Sequence, residues 1–107
     1  MSNPLVSVII PVYNAENFIE QTIQSVLNQT IQDFEIIVLN DGSKDNSGAV
    51  IQALQKKDNR IIYISKSNSG VSDTRNMGVE NAKGKYLAFL DADDIWKQDN
   101  LEKNWRF

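Results

Sequence analysis

The chain has 107 residues, a length that suits one domain. Its 11 Lys and Arg and 14 Asp and Glu leave a formal net charge of -3, which excludes the basic surface that nucleic acids and anionic membranes require. The sequence contains no Cys and no His, so disulfides, thiolate zinc sites and histidine-dependent hydrolase sites are excluded. Any acid, base or metal chemistry must therefore depend on carboxylates.

The first half of the chain predicts two strands separated by a helix. Leu5–Val12 is a nearly continuous β-branched run, and Pro11 is expected to end this strand because proline cannot donate to a sheet. Asn14 is predicted to cap the helix that follows. The apolar residues of that helix share one stripe: Phe18, Ile19, Ile23, Val26 and Leu27. Phe34–Leu39 is the second predicted strand, followed by turn residues at 40–43.

The second half continues the same alternation. A helix is predicted over Ser47–Lys57, a short strand over Ile61–Ile64, a weaker helix over Val71–Ala82 and a fourth strand over Tyr86–Leu90. This order predicts an α/β fold with a mostly parallel sheet, right-handed crossovers and helices on both faces. In such folds ligands bind beyond the carboxyl ends of the strands, near the point where the strand order reverses.

Polar residues follow three of the predicted strands, at ends that should share one edge of the sheet. They are Pro11–Asn14 after the first strand, Asp41–Ser43 after the second and Asp91–Asp94 after the fourth. The acids of the last segment repel one another unless they share a cation or a proton, and their oxygens suit Mg²⁺ or Mn²⁺. A solvated acidic loop that caps the next helix is the structural alternative.

Two residues near these ends have both a ligand-binding and a structural interpretation. Asp41 could accept a hydrogen bond from the N–H of a base, or it could form a local Asx turn. Tyr13 could stack on a planar base, or it could only cover the core. Both glycine-rich phosphate motifs are missing, so a bound nucleotide would need a metal for its phosphates.

Arg75 lies on the predicted third helix, on a stripe that should face inward. Its spacing places it with Val71, Gly78 and Ala82. An arginine on this stripe needs an anionic partner, either a phosphate or a strand-end aspartate. The structural alternative is that its stem packs while its head reaches water.

Four motifs occur in a fixed order along the chain. They are VSVIIPVYN at 6–14, NDGSKDNS at 40–47, NSGVSDTRNMG at 68–78 and AKGKYLAFLDADD at 82–94. Together they resemble the N-terminal, nucleotide-sugar-binding half of family 2 glycosyltransferases, which have the Rossmann-like, three-layer α/β/α GT-A fold. The resemblance runs from about Val6 to Lys103 and implies the strand order 3-2-1-4.

The resemblance also implies a role for each matching residue. The segment expected to lie along the nucleotide base comprises Pro11, Val12, Tyr13 and Asn14. Asp41 would bind uracil or its equivalent, and Arg75 would line the nucleotide pocket. In the D-x-D motif Asp93 would reach the divalent metal, Mg²⁺ or Mn²⁺, and Asp91 would help to hold the ribose or the metal. Ala92, between them, belongs to the same nucleotide-binding segment.

The implied reaction is inverting transfer of a sugar from a nucleoside-diphosphate sugar, with uridine as the expected base, to a carbohydrate or glycolipid acceptor in polysaccharide or glycoconjugate synthesis. Family members place the general base in the acceptor-binding half. That half would lie beyond Phe107, so residues 1–107 are expected to form one donor-binding GT-A subdomain, truncated before it and inactive alone. The expected location is the cytoplasm, including the inner face of the membrane.

Two other classes of function are weighed against this one. A receiver-like phosphoacceptor domain would place its acids after the first strand, where this chain has Pro11–Asn14. A non-catalytic α/β module would use the same fold for protein contacts. Binding of UDP with Mn²⁺ separates the transferase from this non-catalytic module.

The strand order 3-2-1-4 would leave the fourth strand at an edge of the sheet. Exposed edges and uncovered apolar residues promote association, so a homodimer through this edge is expected. The residues expected to be uncovered near it are Trp96, Leu101, Trp105 and Phe107.

Overall fold

The computed structural model describes residues 3–104 and confirms the predicted alternation of strands and helices. Its elements are, in chain order, β1 (Val6–Val12), α1 (Ile19–Leu27), β2 (Phe34–Asp41), α2 (Ser47–Lys57), β3 (Ile61–Lys66), α3 (Val71–Asn81), β4 (Tyr86–Phe89) and α4 (Asn100–Asn104). The short helix α4 was not predicted from the sequence. Within residues 3–104, no helix has the length and apolar character needed to cross a membrane.

The strands form one parallel sheet in the order β3-β2-β1-β4, which confirms the predicted order. Val6 of β1 is in register with Phe34 of β2 on one side and with Tyr86 of β4 on the other. The chain runs outward from β1 to β3 and then returns to the opposite side for β4. The strand order therefore reverses between β1 and β4, and this reversal is where parallel sheets bind ligands.

Helices cover both faces of the sheet, as predicted. Ile23 of α1 and Ile51 of α2 belong to the main core cluster, on the face of the sheet that carries the even-numbered residues of β1. On the opposite face Met77 of α3 packs against a second cluster that includes Ile9 and Leu39. Both faces of the central strands are therefore buried, which accounts for their continuous apolar runs.

The start of α1 differs from the prediction. The helix begins at Ile19, and Phe18 before it is 51% exposed instead of joining the buried stripe. Asn14 has a φ of 51°, in the left-handed region that Asn tolerates better than most residues. Its side-chain oxygen accepts a hydrogen bond from the N–H of Lys44. The predicted cap at Asn14 is therefore wrong, because Asn suits left-handed turns as well as helix caps.

Several strands end at other residues than predicted. β1 continues through Pro11 to Val12. The carbonyl of Ile9 faces β4, and the nitrogen of Pro11 faces the same way because it lies two residues later on the strand. The pairing of β1 with β4 stops at Ile9. The missing N–H of Pro11 therefore faces a side without a paired strand, which is where a sheet tolerates proline. β2 and β3 run on to Asp41 and Lys66, so both of these side chains belong to the sheet edge.

The buried face of α3 is rotated from the predicted stripe. Val71 is 51% exposed, whereas Thr74 and Gly78 are buried. A Cβ on Gly78 would lie 2.5 Å from Cγ2 of Ile9, so glycine permits the close approach of α3 to the sheet. Arg75 keeps 41% of its side chain exposed, and it lies at the border of the buried face.

A buried polar cluster fixes the amino-terminal edge of the sheet. Oγ of Ser7 donates to Oε2 of Glu35 at 2.5 Å, and the N–H of Lys83 donates to the same oxygen at 2.7 Å. The N–H of Gly84 donates to Oγ of Ser7 at 2.7 Å. Because Ser7 and Glu35 are opposite each other in the β1–β2 register, the cluster ties the turn before β4 to both central strands.

β4 lies at an edge of the sheet, as predicted, but the uncovered residues near it differ. Leu101 is 1% exposed and Trp96 packs against the main core cluster, so the prediction that both lack cover is wrong. Trp105 and Phe107 lie outside the described residues. Apolar residues that are exposed in this part of the chain include Leu87, Phe89 and Ile95. A homodimer through this edge stays a prediction.

Replacing Gly84 with alanine should destabilise the fold. A Cβ at this position would lie 2.5 Å from the nitrogen of Ser7 and 2.7 Å from the carbonyl carbon of Val6, and neither atom can move without shifting β1. We expect the free energy of unfolding, measured by denaturant titration, to fall by about 1–3 kcal/mol. Glu80→Ala on the exposed side of α3 is the control, with an expected change below about 0.5 kcal/mol. A Gly84→Ala effect as small as the control would contradict this packing.

Candidate functional site

Tyr13, directly after β1, stands between two clefts at the carboxyl edge of the sheet. The Asp41 cleft has a volume of about 280 Å³ and is lined by Pro11, Val12, Tyr13, Asp41, Asn68, Gly70 and Val71. The Asp93 cleft has a volume of about 260 Å³ and is lined by Pro11, Tyr13, Asn14, Ala15, Phe18, Ala92 and Asp93. Tyr13 is 49% exposed, so its ring is accessible to a ligand. Most of the predicted site residues thus line two neighbouring clefts, whereas Arg75 and Asp91 line neither of them.

Hydrogen bonds tie the loop after β1 to the loop after β2 and so fix the backbone around Tyr13. The N–H of Asn14 donates to Oγ of Ser43 at 2.9 Å, and the N–H of Ala15 donates to Oγ of Ser47 at 2.9 Å. In the reverse direction, Oδ1 of Asn14 accepts from the N–H of Lys44 at 2.8 Å. Sequence analysis missed these serine contacts, because they join residues about thirty positions apart.

Asp45 supports the same junction from the start of α2. Its Oδ1 accepts from the N–H and the hydroxyl of Ser47 at 3.0 and 2.6 Å, and its Oδ2 accepts from the N–H of Glu16 at 3.2 Å. Burial alone would raise the pKa of Asp45, but these hydrogen bonds outweigh it and hold the pKa below its usual value. The ionised side chain of Asp45 therefore links the loop after β1 to the start of α2. In the sequence, only its position before a predicted helix indicates this role.

Asp41, at the end of β2, is a buried carboxylate with four neighbouring donors. Its Oδ1 accepts from Nζ of Lys66 at 2.7 Å and from the N–H of Ser69 at 2.8 Å. Its Oδ2 accepts from the N–H of Gly70 at 3.1 Å and lies 3.4 Å from Nδ2 of Asn68. Burial alone would raise the pKa of Asp41, but the hydrogen bonds and the charge of Lys66 outweigh it and keep the pKa below its usual value. Asp41 therefore holds the loop after β3 in place. Its partners lie about 25 residues or more away in the chain, so it does not form the local Asx turn that was the structural alternative.

Arg75 connects α3 to the acidic segment after β4. Its Nη2 donates to Oδ1 of Asp91 at 3.2 Å, so one of the predicted anionic partners, a strand-end aspartate, is present. Both side chains are substantially exposed, at 41% and 63%, and such pairs add little to stability. Nε of Arg75 is buried and has no hydrogen-bond partner within the described part of the chain. A buried donor without an acceptor points to a ligand oxygen or to water at this position.

The acidic segment after β4 is held to the fold through its backbone. The hydroxyl of Thr22 on α1 donates to the carbonyl oxygen of Ala92 at 2.6 Å, and Thr22 itself is fully buried. This contact was not foreseen, and it fixes the residue between Asp91 and Asp93. Oδ1 of Asp94 accepts from the N–H of the next residue, Ile95, at 3.1 Å. The carboxylates of Asp91 and Asp93 are left exposed at the mouth of the site.

The donor set of this segment restricts the kind of metal site it can form. Across residues 3–104, no three His, Cys, Asp or Glu side chains come together as a metal-binding group. Asp91 and Asp93 therefore do not make an all-protein cage. Mg²⁺ and Mn²⁺ are commonly held by one or two carboxylates together with water and substrate phosphates, and two exposed carboxylates fit that arrangement.

A larger groove lies between α1 and the segment after Asp94. It has a volume of about 850 Å³ and is lined by Glu16, Asn17, Glu20, Gln21, Gln24, Ser25, Asn28, Ile95, Trp96 and Gln98. None of the strand-end carboxylates lines it. The two smaller clefts, which are lined by Tyr13 and by Asp41 or Asp93, are therefore the better candidate for a ligand with a planar base.

Comparison with known sequences identifies the family. The family model described as "Glycosyl transferase family 2" matches residues 7–107. An uncharacterised glycosyltransferase of Rickettsia bellii is 50% identical over 102 residues, which cover 95% of this chain and 15% of that protein. TuaG of Bacillus subtilis, a putative teichuronic acid biosynthesis glycosyltransferase, is 47% identical over 106 residues, which cover 97% of this chain and 42% of that protein. The chain thus spans less than half the length of these relatives.

Solved structures agree with this assignment. Residues 1–349 of TarS from S. aureus share 27% identity with a TM-score of 0.83, over 92% of this chain and 30% of that one. The same TarS fragment in complex with UDP shares 30% identity with a TM-score of 0.79, over 92% of this chain and 30% of that one. A mannosyltransferase from Pyrobaculum calidifontis is alike in fold alone, at 21% identity and a TM-score of 0.85. The expected Rossmann-like GT-A fold is confirmed, and since the family match spans nearly the whole chain, the chain belongs to glycosyl transferase family 2.

Proposed function

We propose that this chain is the donor-binding part of an inverting, metal-dependent glycosyltransferase that transfers a sugar from a UDP-sugar to an acceptor hydroxyl. The observation that carries the proposal is the convergence of an accessible tyrosine, a buried carboxylate and two exposed carboxylates at the sheet edge where the strand order reverses. TarS structures in complex with UDP and with UDP-GlcNAc support the choice of donor. The name of TuaG supports a role in polysaccharide or glycoconjugate synthesis, with a carbohydrate or glycolipid acceptor.

The Asp41 cleft is the proposed site of the base. Its walls combine an aromatic ring, the apolar surface of Pro11 and Val12, and one buried carboxylate. In the proposal the ring of Tyr13 stacks on the base, Asn14 fixes the backbone beside it, and Asp41 accepts an N–H of the base. A planar, mostly apolar ligand with one donor at its edge suits this lining.

The acidic segment and Arg75 are the proposed site of the diphosphate. Asp93 and Asp91 would hold Mg²⁺ or Mn²⁺, and Ala92 positions them through its bond to Thr22. When bound, such a metal stabilises the negative charge that develops on a departing nucleoside diphosphate, so no protonated side chain is needed there. Arg75 adds a positive charge, and its unpaired Nε offers a donor to a phosphate or ribose oxygen.

The general base of the reaction is placed outside this chain in our proposal. Deprotonation of an acceptor hydroxyl requires a carboxylate on the acceptor side, and the exposed acids of the described site are assigned to the metal. The relatives are more than twice as long as this chain, which leaves room in them for an acceptor-binding half. A cytoplasmic location, including the inner face of the membrane, belongs to the same proposal.

Binding of UDP should depend on a divalent metal and on Asp93. We expect calorimetric titration to give UDP binding that strengthens with Mn²⁺, and Asp93→Ala to weaken the Mn²⁺-dependent binding by about tenfold or more. Asp33→Ala is the matched control, because Asp33 is also exposed but precedes β2 at the opposite edge of the sheet. Absence of UDP binding, or binding that is insensitive to Mn²⁺ and to Asp93→Ala, would instead favour a non-catalytic module used for protein contacts.

Sugar transfer by the chain alone should be absent. Incubation with several UDP-sugars, Mn²⁺ and candidate glycan acceptors is expected to release no UDP above the rate without protein, since the base is assigned elsewhere. UDP binding in the same preparation is the control that the donor site is intact. Robust transfer by residues 1–107 would contradict the proposal that this chain is only the donor-binding part.

A further inference from the structure

Lys66, the last residue of β3, is a partly buried cation whose donors all have acceptors within the protein. Its side chain is 10% exposed. Nζ donates to Oδ1 of Asp41 at 2.7 Å, to the carbonyl oxygen of Ser67 at 2.9 Å and to Oγ of Ser69. An ammonium group has three donors, so none is left for a ligand. Lys66 therefore acts on a ligand in the Asp41 cleft only through the residues that it holds.

The hydrogen bonds of Asp41 nearly exhaust its acceptors. An ionised carboxylate offers about four lone-pair positions. Lys66 and the N–H of Ser69 occupy both positions on Oδ1, and the N–H of Gly70 occupies one on Oδ2. The remaining neighbour, Nδ2 of Asn68, is 3.4 Å from Oδ2 and bonds better to the carbonyl oxygen of Asp41, at 3.0 Å. One acceptor position on Oδ2 is therefore available to a strong external donor.

The loop at 67–70 is held directly against the end of β2, and this contact keeps the carboxylate in place. A Cβ on Gly42 would lie 2.7 Å from the nitrogen of Asn68, so the two loops touch at a glycine with a φ of 70°. Gly70 ends the loop as the residue before α3, with a φ of 98°. Because Lys66 bonds to Asp41 and to two residues of this loop, removing its charge loosens both walls of the cleft together.

We propose that Lys66 is a positioning residue that restricts Asp41 to one N–H donor from the nucleotide base and thereby favours uracil over guanine. The proposal rests on the proposed function, since it concerns the base of the bound nucleotide. Uracil presents one N–H between two carbonyl groups. Guanine presents an N–H and an adjacent amino group, and a carboxylate must offer two free acceptor positions to receive both.

The charged surroundings of Asp41 define how its protonation should respond to the loss of Lys66. Lys66 is the only cation within hydrogen-bond distance of Asp41 among residues 3–102, whose side chains the structure describes, and the loop contributes uncharged donors. Of the other ionisable groups nearby, Tyr13 lines the same cleft, Arg75 on α3 pairs with Asp91, and Lys44 is exposed in the loop after β2. Without Lys66, burial is opposed by fewer hydrogen bonds, so the pKa of Asp41 should rise.

The experiment measures UDP and GDP binding by calorimetry, with Mn²⁺, for the wild-type chain and for Lys66→Met at about pH 7.5 and about pH 5. We expect the wild type to bind UDP more tightly than GDP. In Lys66→Met the preference for UDP should shrink by about tenfold, because a second acceptor position on Asp41 becomes free. The ratio of variant to wild-type Kd for UDP should also rise by about threefold or more at the lower pH, since a protonated Asp41 has lost its charge and accepts the base N–H more weakly. Because the ionisation of the nucleotide phosphate changes the Kd of variant and wild type alike, the ratio of the two Kd values at each pH does not depend on it.

Two further variants make the result decisive. Lys56→Met, exposed in the last turn of α2, removes the same charge and should leave the base preference and the pH response unchanged. Lys66→Gln keeps a donor for Asp41 and removes only the charge, so it should still show the pH response if Lys66→Met does not fold. Wild-type chain that binds neither nucleotide would overturn the proposed function. UDP binding by the wild type, combined with a Lys66→Met variant that keeps the wild-type preference for UDP over GDP and shows no added pH response, would overturn the role of Lys66 alone. If Lys66→Met does not fold, a Lys66→Gln variant without the added pH response would overturn it.

Discussion

The parallel pairing of β1 with β2 is the constraint on which the rest of the structure depends. The register runs from Val6 opposite Phe34 to Val12 opposite Asn40, so Tyr13 and Asp41 leave the sheet side by side. A shift of one residue would turn every side chain of a strand to the opposite face. Asp41 would then point away from the loop after β3, and Ser7 would no longer face Glu35. The same register therefore sets the geometry of the candidate site and the polar cluster at the other end.

The loops beyond the strands are ordered by hydrogen bonds between side chains and backbone. Ser43, Asp45 and Ser47 hold the loop after β1, and Asp41 with Lys66 holds the loop after β3. Except for the bond between the side chains of Lys66 and Asp41, each of these bonds uses a backbone N–H that no helix or strand satisfies. The clefts are therefore formed by the protein itself, and a ligand does not have to order them on binding, which lowers the entropic cost of association.

Much of the fold could be predicted from the sequence, because long apolar runs and helical spacing report burial directly. The bounds of α2 and the order of the strands are as predicted. The errors at Asn14 and on α3 have different causes. Asn suits two local structures, a helix cap and a left-handed turn. On the weakly apolar helix α3, a glycine decides which face packs against the sheet. The strand-end positions of Asp41, Asp91 and Asp93 were also predictable. The partners of Asp41 were not, because Lys66 and the loop at 67–70 approach it only in the folded chain.

The buried cluster of Ser7, Glu35 and Gly84 lies at the amino-terminal edge of the sheet, opposite the two clefts. The residues that secure the central strands and the residues that would contact a donor are thus separated by the length of β1, seven residues or roughly 23 Å. Under the proposed function, changes at the carboxyl-terminal loops would alter which nucleotide is bound while the residues that anchor the scaffold stay the same. In such a fold, loop substitutions can change the ligand without changing the packing of the core. This separation is a physical basis for one scaffold that binds many different sugar donors.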